Sequence, residues 1–217
     1  MAQESHTAQR TLQLERIILF SDAVFAIAIT LLVIEIKVPS LHGTEPTEAA
    51  LLHEIFLLIP KFVGFLISFF LIGLYWTRHH LLFGYLSDYS TKLVWLNLLF
   101  LLSIVLMPFS TGIFGEYSTP QTFHLKAPLI IYVLNICFTG VMLYLLWDHV
   151  GNPKSGVAHA PLDPDVVKAA KRRAVIISLV FASVIPASFV DAFLARYIPI
   201  LLPVVLRLTR PRRRRAK

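Results

Sequence analysis

Charge is what this chain has least of. Asp, Glu, Lys and Arg make up 15% of its 217 residues and apolar residues 56%, against about 25% and 45–50% in an ordinary soluble domain. With a mean hydropathy of +0.70, a water-soluble fold of this length is excluded, because it could not bury so much apolar surface. Cysteine is nearly absent as well. The single Cys137, set in an apolar run, rules out an intrachain disulfide and a cysteine-based metal cluster. No GxSxG, HExxH or phosphate-binding glycine loop occurs, and the 13 carboxylates lie mostly in loops, so an enzyme active site has nothing to be built from.

What the chain does have is long apolar runs. A helix crosses a bilayer with about 20 mostly apolar residues, and such runs lie near Ile17–Val38, Pro60–Thr77, Leu93–Ile113, Pro128–Trp147 and Ala174–Ser188, with a last one reaching Leu208. The expected fold is all-α: a polytopic membrane protein with six transmembrane helices. Residues 1–16 form a cytoplasmic N-terminus, 17–208 the membrane domain and 209–217 a polybasic cytoplasmic tail. The last two spans are compressed, and Pro186 and Pro199 mark breaks in them. A polar start, Asp22 and Glu35 near the ends of the first run, and no small-residue cleavage site after it predict a retained first helix and not a signal peptide.

Basic residues set the orientation. Arg10 and Arg16 precede helix 1, Arg78 and Lys92 flank the second connection, Lys154, Lys168, Lys171, Arg172 and Arg173 fill the fourth, and RPRRRRAK ends the chain. The alternate connections hold few, with Lys126 in one and Arg196 in another. By the positive-inside rule, an even number of spans puts every basic loop and both termini in the cytoplasm of a cell-membrane protein. Beside a membrane exit the basic tail is expected to meet anionic lipid and not nucleic acid. Trp76, Trp95, Trp147, Tyr75, Tyr89 and Tyr144, near predicted span ends, read as interfacial anchors. The apolar stretch Glu48–Ile59 either extends helix 2 or lies on the surface, with Pro60 a kink or a first-turn residue.

Helix 1, RIILFSDAVFAIAITLLVIEIKVP, carries the most information. An ionisable residue on a spanning helix is costly unless it faces protein or water, so Asp22 needs a partner. At about 100° per residue, Ile27, Leu31 and Ile34 fall on one stripe with Ala23 and Phe20, and Asp22 points roughly 140° away from it. The helix therefore has two faces, and Ala23, Ala26, Ala28 and Thr30 let neighbours approach closely, as a central helix requires. Arg16 and Asp22 are turned apart on the helix, so Asp22 is expected in a polar network with another helix. His79 and His80 at the inner end of helix 2 are the candidate partners. Adjacent residues point in different directions, which argues against a metal site there, while histidine's ordinary titration range makes the network a candidate proton sensor.

Arg16, Phe20, Ser21 and Asp22 spell RxxxFSD, followed by AVFAIAITLLVIEIKVP. This resembles the first helix of the transmembrane-protein-175 family of potassium channels, which occurs in lysosomes and in prokaryotes. The similarity extends to FFLIGLYWTRHHLLF at the end of helix 2 and to MPFSTGIFGEY in helix 3. The resemblance implies a six-helix subunit that forms a homotetramer, since this chain has one FSD repeat where the animal proteins have two. Helix 1 would line a central pore passing potassium, with no cofactor and no fixed metal. By the same resemblance, Ile27 would form the narrow constriction, Leu31 and Ile34 further layers, and Thr30 a hydroxyl contributing to ion preference. A ring of isoleucines gates by excluding water. The carbonyl filter of ordinary potassium channels is missing, because TGIFG at Thr111–Gly115 has some letters of TVGYG in the wrong order.

Two other classes compete with conduction. A proton-coupled secondary transporter would need broken helices about a midplane site and a second related half, and no internal repeat is present. A membrane enzyme would have to rely on His79, His80 and Asp22 alone.

Overall fold

The computed structural model describes residues 2–41, 46–119, 121–196, 198–201, 205 and 207. Its helices are α1 (Ala2–Ile34), α2 (Glu48–Leu57), α3 (Ile59–Phe83), α4 (Thr91–Val105), α5 (Met107–Glu116), α6 (Ala127–Val150), α7 (Pro164–Ala182), α8 (Val184–Val190) and the short α9 (Ala192–Ala195). Among the described residues there is no strand, only an isolated antiparallel bridge between Leu86 and Ala158.

Prolines punctuate these helices. A proline in a helix removes a bond to the carbonyl four residues earlier. The breaks at Leu58, Leu106 and Ser183 each fall two or three residues before one, at Pro60, Pro108 and Pro186. The broken pieces α4–α5 and α7–α8 nevertheless continue as single apolar rods. Among the described residues five stretches are long and apolar enough to cross a membrane: Gln9–Ile34, Ile59–Phe83, Thr91–Glu116, Ala127–Val150 and Pro164–Val190. The stretch expected as a sixth span, after Ser188 and ending at Leu208, is described at 189–196, 198–201, 205 and 207. It shows there only short pieces, the end of α8, α9 and a 3-10 turn at Ile198–Leu201, in place of one long helix. The polybasic tail 209–217 lies outside the described residues.

Three boundaries differ from the sequence reading. Helix 1 begins at Ala2, not at Ile17, and ends at Ile34, short of Val38. Its polar N-terminal turns are held against the α3–α4 connection by an Arg10–Asp88 ion pair and a Tyr89 hydroxyl that donates to Gln13. The fifth span begins ten residues earlier than Ala174, at Pro164. Asp163 caps it by accepting from the Asp165 amide at 2.8 Å, and proline suits a first helical turn. Lys168, Lys171, Arg172 and Arg173 therefore ride on a helix and not in a loop. Glu48–Leu57 is a helix capped by Thr47 and without a buried residue; only Leu58, itself helical in backbone, separates it from α3, so it prolongs α3 across the break before Pro60 and does not enter the core.

The core gathers around α6, which packs on α4, α5 and α7, while α1 lies across α3, α4 and α5. Ile136, Leu146 and Trp147 of α6, Tyr75 of α3 and Phe100 of α4 are fully enclosed. Trp147 and Tyr75 are thus core residues, contrary to their reading as interfacial anchors; Trp95, well exposed, keeps that reading. Most polar core atoms find hydrogen-bond partners, as lipid demands. The Ser68 hydroxyl lies 2.7 Å from Thr111 Oγ1 and 2.9 Å from the Tyr132 hydroxyl.

Candidate functional site

Helix α1 presents two faces to two environments. Leu14, Ser21, Phe25, Ala28 and Leu32 turn inward and are buried. Phe20, Ala23, Ile27, Leu31 and Ile34 lie on the other side and are exposed, Ile27 at 59%, Leu31 at 39% and Ile34 at 67%. In a single subunit this apolar stripe has no covering. Thr30 stands beside it, also exposed, and donates its hydroxyl hydrogen to its own helix, 2.8 Å from the Ile27 carbonyl and 3.1 Å from that of Ala26. With the proton held inward, the oxygen lone pairs are what the side chain can offer outward.

The inward face is fixed by a hydrogen-bond chain. The Ser21 hydroxyl donates to the Ile17 carbonyl at 2.8 Å, as serine on a helix commonly does. It therefore has an acceptor pair to spare, and the Asn97 amide of α4 donates to it at 3.0 Å. The other end of that amide, Asn97 Oδ1, lies 2.8 Å from His79 Nε2 of α3. An amide oxygen can only accept, so the His79 imidazole carries its proton on Nε2. The ring is 1% exposed and clamped between Phe83, with centroids 4.1 Å apart, and Phe100, at 5.4 Å. Three helices thus meet through one histidine, one asparagine and one serine.

Asp22, one residue on, turns towards α3 and accepts from the Trp76 indole N–H at 2.9 Å. His80, one turn along from Trp76, lies against that indole with centroids 5.6 Å apart and stays exposed, as do Arg16 and Phe20. Of the residues singled out by sequence, then, Ser21 and His79 come together through Asn97. Asp22 meets neither histidine. Asn97 and Trp76 were missed. A lone amide in the apolar run WLNLLF was a readable signal, since a buried polar group in a membrane helix needs a partner. Trp76 was taken for an anchor because its depth, not its direction, is what the sequence displays. Among the described residues no three His, Cys, Asp or Glu side chains converge to hold a metal ion.

In sequence and in fold the chain is similar to known proteins. Residues 16–108, which hold α1 from the signature onward, α3 and α4, match the family model described as the endosomal/lysosomal potassium channel TMEM175. A potassium channel of Streptomyces collinus is 32% identical over 179 residues, covering 82% of this chain and 83% of that one. A potassium channel of Chamaesiphon minutus is 36% identical over 135 residues, or 62% and 64% of the two chains. The crystal structure of a lysosomal potassium-selective channel TMEM175 homolog from Chamaesiphon minutus has the same fold, with a TM-score of 0.74 at 27% identity over 90% of this chain and 97% of that one. The family is one of ion channels and not of enzymes. On its sequence, its apolar spans and its fold, this multi-pass membrane protein belongs to the TMEM175 family of potassium channels.

Proposed function

We propose that four copies of this chain assemble around α1 to form a passive, potassium-selective pore in the cell membrane. Ile27 makes the narrow neck, with Leu31 and Ile34 as further apolar layers. The observation that carries this reading is the exposed stripe of α1, opposite the face that the bundle buries. A stripe of aliphatic residues, closed into a ring by symmetry, makes a constriction that water leaves readily, and an ion entering it loses hydration with nothing polar to replace it. Thr30, with its hydroxyl hydrogen bound to the Ile27 carbonyl, turns lone pairs to a partly dehydrated cation. Potassium sheds water at lower cost than sodium, so preference arises from dehydration and is modest.

The polar network acts on the roll of the helix. One residue of rotation, about 100°, would replace Ile27 on the stripe with Ala28. Ser21 bound to Asn97 and Asp22 bound to Trp76 hold α1 against α4 and α3 at once, which resists that roll. In this reading both termini are cytoplasmic, residues 17–208 form the channel domain between the N-terminal 1–16 and the tail 209–217, and anionic lipid meets that tail. Potassium is a permeant ion, not a bound cofactor.

Liposomes holding the purified protein under a potassium gradient test this directly. Wild type should pass potassium down its gradient, and Ile27→Asn should raise flux or lose selectivity. Absence of flux from both, at several pH values and voltages, would sink the pore and favour a proton-coupled transporter.

A further inference from the structure

Away from α1, a second surface joins apolar walls to fixed positive charge. Between α3, α6 and α7 lies a cavity of about 210 Å³, walled by Leu74 and Leu81 of α3, Leu143 and Trp147 of α6, and Ala170 and Ile177 of α7. Alanines where α7 faces the cavity give it width. The Tyr75 hydroxyl, also on the wall, is spent on the Ile136 carbonyl at 3.4 Å. Two guanidinium groups complete the lining, Arg78 of α3 and Arg173 of α7, both half-buried, and no carboxylate does. Nearby Lys171 pairs with Asp148 at 2.6 Å, lies over the Tyr144 ring and is not part of the lining.

Lining and charge together select the occupant. Walls of leucine, isoleucine, alanine and tryptophan between membrane-crossing helices suit a hydrocarbon chain. A second copy presenting the same surface would bring arginine against arginine, which disfavours it as the occupant. Arginine is a planar fork matched to phosphate oxygens, and its apolar stem can lie along the groove while the head sits at headgroup depth. Arg78 lies in the last two turns of α3 and Arg173 in the first half of the span Pro164–Val190, the parts of those helices nearer the basic connections, where pockets between spanning helices receive anionic headgroups.

We propose that this groove binds an anionic phospholipid, its phosphate against Arg78 and Arg173 and one acyl chain along Leu74, Leu143 and Ile177. None of its lining residues belongs to the exposed stripe of α1. The site couples α3, which bears His79 and Trp76, to α7 on the far side of the subunit, so the lipid is also a brace for the helix that holds α1.

Native mass spectrometry of the full-length protein with added phosphatidylglycerol or phosphatidylcholine of the same chains tests the proposal. Wild type should retain phosphatidylglycerol in preference. Arg78→Gln and Arg173→Gln should each lower that preference about fivefold, the worth of one basic contact at a membrane surface. Arg172→Gln, beside the groove and not lining it, should leave it intact. Ala170→Phe keeps both charges and fills the slot, and should lower retention on its own. Inorganic phosphate should not displace the lipid; if phosphate alone did, the acyl-chain contact would be refuted. Trp147 gives an independent reading that needs no arginine variant. Brominated-chain phosphatidylglycerol should quench the part of the fluorescence that Trp147→Phe removes more strongly than brominated phosphatidylcholine. Equal quenching, or equal retention of the two lipids by wild type, would overturn the proposal.

Discussion

Helices α1 and α6 look alike on a hydropathy scale and differ inside the subunit. The most apolar stretch of each is about equally apolar, that of α1 slightly the more so, yet 22% of the first is buried and 50% of the second. In water the more apolar helix would be the more buried one. In a bilayer lipid is as apolar as leucine, so hydropathy says that a helix crosses and packing alone says where it stands. Among the described spans the most apolar is the one least covered by its own chain. Its surplus surface is left for lipid or for other subunits, and the polar pair Ser21–Asp22 joins the buried Leu14, Phe25, Ala28 and Leu32 in tying it down.

The strongest break of this comparison is one substitution made in both helices. Ile136→Asn puts an amide into the centre of the α6 core, where Ile136 is wholly enclosed. A cavity and an unpaired polar group together should cost more than about 4 kcal/mol, and no monodisperse protein should be recovered from detergent. Ile27→Asn on α1 should be recovered normally, with thermal stability within about 0.5 kcal/mol of wild type, because in the proposed pore water can solvate the amide. Loss of folding in both would place Ile27 against lipid or a packed interface and remove it from the ion path.

A second contrast sets two buried asparagines side by side. Asn97 of α4 uses both ends of its amide, towards Ser21 and His79. Asn135 of α6 donates to Ser110 at 3.2 Å, but its Oδ1 is buried with no partner among the described residues. Asn97→Leu strips two bonds and leaves the His79 N–H unpaired, so it should lower stability by about 1–3 kcal/mol and change potassium flux by letting α1 roll. Asn135→Leu removes an already half-satisfied group and should be near neutral, within about 1 kcal/mol. Thermal unfolding in detergent orders the two; the reverse order would mean that the chain of bonds through Asn97 contributes nothing.

The same contrast shows what could be read beforehand. Spans were legible because 20 apolar residues have one meaning, and Pro60 and Pro186 announced their breaks. The start of α7 was not, although Asp163–Pro164 is a cap signal, because Lys168 to Arg173 resembles a cytoplasmic loop and charge outweighed capping. Trp147 and Tyr75 were misread for a related reason. An aromatic near a span end tells depth, whereas burial depends on which neighbour faces it. Ser21 and His79 were singled out as polar exceptions in apolar helices, but the partner that joins them sits on α4. Its direction follows from tertiary packing that no single helix displays.

Smaller effects belong to the Asp22 contact. Trp76→Phe keeps the ring against His80 and deletes only the indole N–H that Asp22 accepts. A single bond of this kind in a membrane bundle averages about 0.6 kcal/mol, so stability should fall by little and the protein should remain assembled. Its consequence should appear in conduction, since Asp22 and Ser21 restrain the same roll from adjacent positions and loss of one leaves the other. Trp76→Phe in an Asn97→Leu background should therefore perturb flux by more than the two single changes combined. Strict additivity would mean that the two contacts restrain different motions, and that the roll of α1 is held by its apolar packing on Phe25, Ala28 and Leu32 instead.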